Sequence, residues 1–360
     1  MNHFCLLRDP DKYVAHDWDL LADEPARKHW LDHFEKHFAR TMEHAAKQYG
    51  RPAAGRIEAA AREFGEAIQR LRDDPAGASG GRLDIIALDR LRGRVLRAHK
   101  LNDPFAALKA RENDAAVRAY PEVVRRLHAM EAEAKWLHLV QCVFAGNIFD
   151  MGAMEVMHLA EAPQDFMAMV EQVRPRPWLV DDYDRLAADL LPAPPTKWAK
   201  AVVFVDNAGS DFVLGLMPFV RELALGGTHV VLAANELPSL NDLTVNEAID
   251  VVQRLAADDS HLMAFIEAGK FEVVSTGSDV PLLDLSEVSD ELNAAAEGAD
   301  MVILEGMGRA VESNFDAAFR VDALRLAILK DEAVATHAGG RLYDCVCKYT
   351  PVEAEAAPAG

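Results

Sequence analysis

Four short stretches of this chain carry side chains able to do chemistry, and each follows an apolar run. Asp206-Asn207 closes AVVFV. Asn235, Asn241 and Asp242 follow HVVLA. Glu305, with Gly306-Met307-Gly308-Arg309, closes MVIL, and Lys330 closes LRLAIL. Two carboxylates and a carboxamide oxygen are hard ligands, suited to Mg²⁺, Mn²⁺ or a similar divalent ion. The amides of Ala208 and Gly209, at the start of a helix, offer an anion-binding nest. Arg309 can fork onto phosphate or carboxylate oxygens, and Lys330 adds a point charge. A hard-cation site beside such donors is what metal-assisted phosphate chemistry needs. Each residue alone is an ordinary turn former, and the pattern leaves open a fold that binds an anion without catalysis.

These residues work together only if the chain folds their stretches onto one rim. Residues 201–205 are apolar and rich in β-branched side chains, as a buried parallel strand requires. Phe212, Leu216, Phe219, Val220 and Leu223 then recur at helical spacing until Gly226-Gly227 stops the helix, and 229–233 forms the next strand. Further strands are expected at 271–275, 301–304, 324–329 and 342–346, of which 324–329 reads equally well as helix. Thr244 with Glu247 three residues on is a capping box, so Asp242 sits just before a helix, close to its positive end. Strand and helix alternating in this way predict an α/β fold, a mostly parallel sheet with helices on both faces. In such sheets ligands bind at the carboxyl ends of the strands.

Residues 1–190 read instead as a helical part. Trp30, Phe34 and Phe38 share a helix face with Leu31, and His29, His33 and His37 run one position behind. That histidine stripe is either a partly exposed flank or a metal-binding face. DDPAGASGG at 73–81 reads as a surface loop. From Pro121 a helix is expected to carry Val124, Leu127, Met130, Ala134, Leu137 and Val140 inward. It runs into FAGNIFDMGA, where Asn147 and Asp150 sit among apolar residues, either satisfied at a helix break or functional. The three prolines of LLPAPPTKWAK mark a boundary. The expected organisation is a helical part over 1–190, an α/β domain over 191–351 and a frayed tail over 352–360.

Half of the 360 residues are apolar and 27% are charged, a globular composition. A formal net charge of -20 argues against a nucleic-acid surface and would repel an anionic substrate, so a phosphate site needs a local cation. Cys5, Cys142, Cys345 and Cys347 lack a paired framework and read as reduced thiols. With no signal peptide and no membrane-spanning stretch, the expected compartment is the cytoplasm. No feature of the sequence sets an oligomeric state.

FVDNAGSD, LPSLNDLT, FAGNIFDMGA, and EGMGR with LAILKD after it resemble the damage-control phosphatase family, long catalogued as domain of unknown function 89. The opening LLRDPDKYVAHDWDL and the DPFAALKARENDAAV run at 103–117 extend the resemblance over nearly the whole chain. EGMGR is similar to a tag of the subfamily that includes the phosphatase domain of animal pantothenate kinase 4 and free-standing plant relatives. The resemblance implies a Rossmann-like α/β/α domain with an N-terminal helical domain packed on it. It implies a divalent ion (Mn²⁺, Co²⁺, Ni²⁺ or Mg²⁺) held by Asp206, Asn207 and Asp242, with Asp206 and Lys330 in catalysis. Glu305, Gly306, Met307, Gly308, Arg309 and Lys330 would contact the substrate phosphate, and Asn147 and Asp150 would reach the site from the helical part.

The activity so implied is metal-dependent hydrolysis of small phosphorylated metabolites, for this subfamily 4′-phosphopantetheine or its oxidised or otherwise damaged forms. Two alternatives stand beside it. VVFVD also resembles the nucleophile strand of haloacid-dehalogenase-type phosphatases, with Asp206 as nucleophile, but Ala208 stands where those sites want a second Asp. The other is a non-catalytic metabolite sensor on the same fold.

Overall fold

A computed structural model describes residues 2–15, 18–148, 163–191 and 197–352. Its centre is a seven-stranded sheet built from β1 (Val180–Asp181), β2 (Lys200–Phe204), β3 (His229–Ala234), β4 (Phe271–Ser275), β5 (Met301–Glu305), β6 (Asp322–Ile328) and β7 (Cys345–Thr350). The strand order is β1-β7-β6-β5-β2-β3-β4, and every neighbouring pair is parallel except β6 and β7. The stretch at 324–329 is thus a strand, central enough that every residue of β6 is buried. The last strand starts at Cys345, three residues later than its apolar content suggested, because 342–344 form the turn into it. β1 was not expected at all; two residues are too few to leave a period.

Side chains alternate across the sheet. Ala201, Val203 and Val205 enter one core with the helices Ala106–His128, Ala132–Ile148, Met217–Leu225 and Val245–Asp258. Val202 and Phe204 enter a second core with the helices Glu24–Tyr49, Ala54–Asp73 and Ile85–Ala98. Helices from the first 150 residues therefore cover both faces of the sheet. Trp30, Leu31, Phe34 and Phe38 are buried, as their spacing requires. The helix expected from Pro121 is instead two helices, because Ala106–His128 runs through Pro121 and stops before Ala132–Ile148 begins. In the second helix Val140 is buried as expected, with Trp136 and Leu139 beside it, whereas Leu137 is half-buried and Ala134 is exposed. Pro75–Ser79 folds into a short helix inside the glycine-rich loop, capped by Asp74.

The chain goes from β2 outward through β3 to β4, then returns to lay β5 on the other side of β2. That reversal is a topological switch point, where the loops leaving β2 and β5 diverge and open a crevice. Asp206 lies two residues beyond β2, and Glu305 ends β5.

Candidate metal and phosphate site

Both segments that leave the switch point begin with a π-helical turn, Asp211–Leu216 after β2 and Met307–Glu312 after β5. Such turns are uncommon and often mark functional positions. At the start of these turns Asp206, Asp211 and Glu305 come together: one carboxylate oxygen from each lies within 4.8 Å of the other two. All three are buried. Asn147 reaches them from the end of the helix Ala132–Ile148. Its Nδ2 donates to Asp206 Oδ2 (3.2 Å), Asp211 Oδ2 (2.9 Å) and Glu305 Oε1 (3.1 Å). The approach is possible because Gly146 has no Cβ; one built there would stand 2.9 Å from Asp211 Cα. Asn207 adds Nδ2 contacts to Asp206 Oδ2 at 2.9 Å and Asp211 Oδ2 at 2.8 Å.

Arg309 faces the other oxygen of Asp206. One guanidinium nitrogen pairs with Asp206 Oδ1, and the second donates to Asp242 Oδ2 at 2.8 Å and Asn235 Oδ1 at 3.2 Å. Asn235 in turn donates to Asp242 Oδ2 at 3.0 Å. Asp242 is held beside Asn207 by a backbone bridge, and its helix carries the full capping box of Thr244 and Glu247.

The 103–117 run braces both loops. Lys109, fully buried, pairs with Asp103 (3.0 Å) and Glu247 (2.8 Å) and donates to the Asp242 carbonyl at 3.3 Å. Asn113 accepts from the Gly209 amide at 2.7 Å. Breaking such a buried pair leaves an uncompensated charge, at a cost of about 3–5 kcal/mol.

Above these residues lies a cavity of about 210 Å³. Asp206, Asn207 and Asp242 line it together with Met307, Gly308 and Lys330; Trp30, Phe34, Ile85 and Leu282 add apolar wall. Two polar pairs from the first 100 residues also line it: His33 with His37, and Asp89 with Arg92, an ion pair of 2.6 Å. The phosphate-binding set read from the sequence therefore divides. Met307, Gly308 and Lys330 face the cavity, while Glu305 and Arg309 are buried among the carboxylates beneath it. Gly306 presses against Asp206. Asp150 falls outside the described residues.

The cluster is short of positive charge. Burial, followed by the charges of Asp211 and Asp206, raises Glu305 well above the usual carboxylate range. Burial and the charge of Asp206 push Asp211 up to about 6, with Lys330 opposing the shift. Asp211 Oδ1, Glu305 Oε2 and Asn147 Oδ1 are buried acceptors without a hydrogen-bond partner. Unpaired buried oxygens in an all-oxygen set fit a hard divalent cation. Two candidate ligand sets share Asp206: the cavity-lining Asp206, Asn207 and Asp242, and the deeper Asp206, Asp211 and Glu305. Asp211 has no distinguishing mark in the sequence, although it sits in FVDNAGSD four residues after Asn207. The turn at Ala208-Gly209 that returns its carboxylate to Asn207 leaves no mark in residue spacing.

Residues 24–346 match the damage-control phosphatase ARMT1-like domain. A damage-control phosphatase of Arabidopsis thaliana is 41% identical over 303 residues, spanning 84% of this chain and 81% of that one. The 4′-phosphopantetheine phosphatase of Mus musculus is 32% identical over 397 residues, covering 96% of this chain. This chain spans 48% of the mouse protein and 42% of pantothenate kinase 2 of Arabidopsis thaliana, which is 37% identical to it. Among solved structures, a duf89 family protein from Pyrococcus horikoshii superposes with a TM-score of 0.63 at 17% identity, over 88% of this chain and 96% of that one. That similarity shows the fold. The family match and the plant relative together show the rest: the chain belongs to the damage-control phosphatase ARMT1-like family.

Proposed function

We propose that this phosphatase hydrolyses 4′-phosphopantetheine, or its oxidised or otherwise damaged forms, with a divalent ion held at Asp206. The carrying observation is that Asp206, Asn207 and Asp242 line one cavity together with Lys330, above a buried carboxylate cluster that shares Asp206. The similarity to the mouse phosphatase supports the substrate. Asp206, Asn207 and Asp242 are the proposed ligands because they alone of the two sets all reach the cavity. Asn147 then holds Asp206 from behind and is itself anchored by Asp211 and Glu305. The ion, when bound, supplies charge against the phosphoryl oxygens.

The chain's own residues do the rest. Arg309 pairs with both Asp206 and Asp242 and fixes their spacing. Asn147 and Asn207 orient Asp206, and Lys330 offers the cavity a cation for the phosphate. Trp30, Phe34, Ile85 and Leu282 give an organic arm an apolar wall. Both oxygens of Asp206 are engaged, one by Arg309 and the other by two asparagine amides, so metal ligation and nucleophilic attack alike would displace one of these contacts. The compartment we propose is the cytoplasm; among the described residues no helix is long and apolar enough to cross a membrane.

Exhaustive chelation should abolish turnover of an aryl phosphate, and Mn²⁺, Co²⁺, Ni²⁺ or Mg²⁺ should restore part of it. Full activity in metal-free protein would overturn the ligand assignment. The split between phosphate and arm is tested by substitution. Lys330→Ala should damage hydrolysis of 4′-phosphopantetheine and of a small aryl phosphate to a similar extent, by about 10-fold or more, near 1.4 kcal/mol. Phe34→Ala should penalise 4′-phosphopantetheine selectively. Melting curves run beside the kinetics identify a purely structural role for Lys330: a lower melting temperature with unchanged turnover would remove it from the site.

A further inference from the structure

The histidine stripe on the first long helix is not used by the chemistry above. Two of its members meet a partner from the far end of the chain. His29 and His33 lie one turn apart on the helix Glu24–Tyr49, and Asp331 follows β6. A ligand atom from each of the three lies within 4.8 Å of the other two. The imidazole centroids are 6.2 Å apart with planes tilted by 34°. Asp331 is already oriented: its Oδ1 accepts from the amides of Ala333 and Val334, at 2.8 and 3.0 Å, capping the helix Glu332–His337. Its second oxygen is not part of that cap.

We propose that His29, His33 and Asp331 form a second metal site, for a borderline transition ion such as Zn²⁺, at the rim of the cavity. Two imidazoles and a carboxylate suit Zn²⁺, whereas the all-oxygen cluster at Asp206 suits harder ions, so the two sites differ in preference. Ligands about 2.1 Å from one tetrahedral ion stand ~3.4 Å apart. The observed spacing closes to that value with side-chain adjustments on the order of 1 Å, and the exposed His29 has room to make them. His33 and Asp331 both line the cavity, next to Lys330. An ion there joins the helix Glu24–Tyr49 to the segment carrying Lys330, clamping one wall of the cavity to the other.

The test uses tag-free, chelated full-length protein titrated with Zn²⁺ against a chromophoric chelator, and with Co²⁺ for its visible absorption. The wild type should show a Zn²⁺ equivalent that survives Asp206→Asn. That equivalent should weaken at least 10-fold in His29→Gln and in Asp331→Asn, with loss of the imidazole-type Co²⁺ spectrum. Equal Zn²⁺ binding in wild type, His29→Gln and Asp331→Asn would overturn the proposal, as would binding abolished by Asp206→Asn alone. His29 is exposed, so its variant is expected to fold, and Asn keeps the cap at 331. The readout is metal binding, so it stands whether or not the phosphatase reading of the Asp206 site holds.

Discussion

Asp206→Ala is expected to lower turnover by at least ~10²-fold, about 2.7 kcal/mol of transition-state stabilisation. Three side chains converge on it: Asn147 and Asn207 on one oxygen, Arg309 on the other. It also belongs to both candidate ligand sets. The fold is expected to survive, because removing one of three clustered carboxylates relieves repulsion between Asp211 and Glu305 and their neighbour, offsetting part of the lost pairing with Arg309. Asp206→Asn keeps the shape and should lose activity comparably. Near-normal turnover in either variant with metal supplied would place the metal elsewhere. Asp242→Ala and Asp211→Ala then separate the two sets. A deeper loss at Asp242 assigns the ion to the cavity-lining residues, and a deeper loss at Asp211 assigns it to the buried cluster.

Replacing Gly306 with alanine should be nearly as damaging, for a reason that involves no ligand atom. Gly306 has φ 93° and ψ 154°, a backbone region open in practice to glycine alone, and alanine there costs about 1–3 kcal/mol. The added methyl would also collide with Asp206, whose own Cβ would be 2.9 Å away and whose carboxyl group would be closer still. Either Asp206 moves, losing its alignment with Arg309 and the two asparagines, or the turn after β5 opens. Both outcomes misplace the metal site, and turnover should fall by ~10²-fold while the protein remains folded with a reduced melting temperature. Steady-state kinetics with a metal-binding titration read this directly. A Gly306→Ala variant with wild-type metal affinity and turnover would show that the close approach to Asp206 is not required.

The sequence by itself determined much of the architecture. The strands at 201–205, 229–233 and 301–304 were legible because a strand buried on both faces is apolar nearly throughout, whatever surrounds it. The capping box of Thr244 and Glu247 was legible because its partners are three residues apart. The motif stretches carried the family for the same reason, since they preserve local order. The segment 324–329 stayed ambiguous until β5 and β7 were seen on either side of it, because a short apolar run fits a buried helix equally well.

Only the tertiary structure decided what the polar residues do. Asp211 joins Asp206 through the turn at Ala208-Gly209, and Glu305 joins them through the switch in strand order; neither leaves a period in the sequence. Arg309 reads locally as a phosphate fork, yet it lies buried between Asp206 and Asp242, because two unscreened carboxylates in a dry crevice require the nearest guanidinium. Lys109 and Asn113, unremarkable in a helical run, brace loops more than 90 residues away. Asp331 turns two of the three histidines of the stripe into a three-residue cluster. Local sequence specifies backbone conformation through short-range sterics and burial, whereas charge pairing depends on distances that exist only after the sheet has assembled.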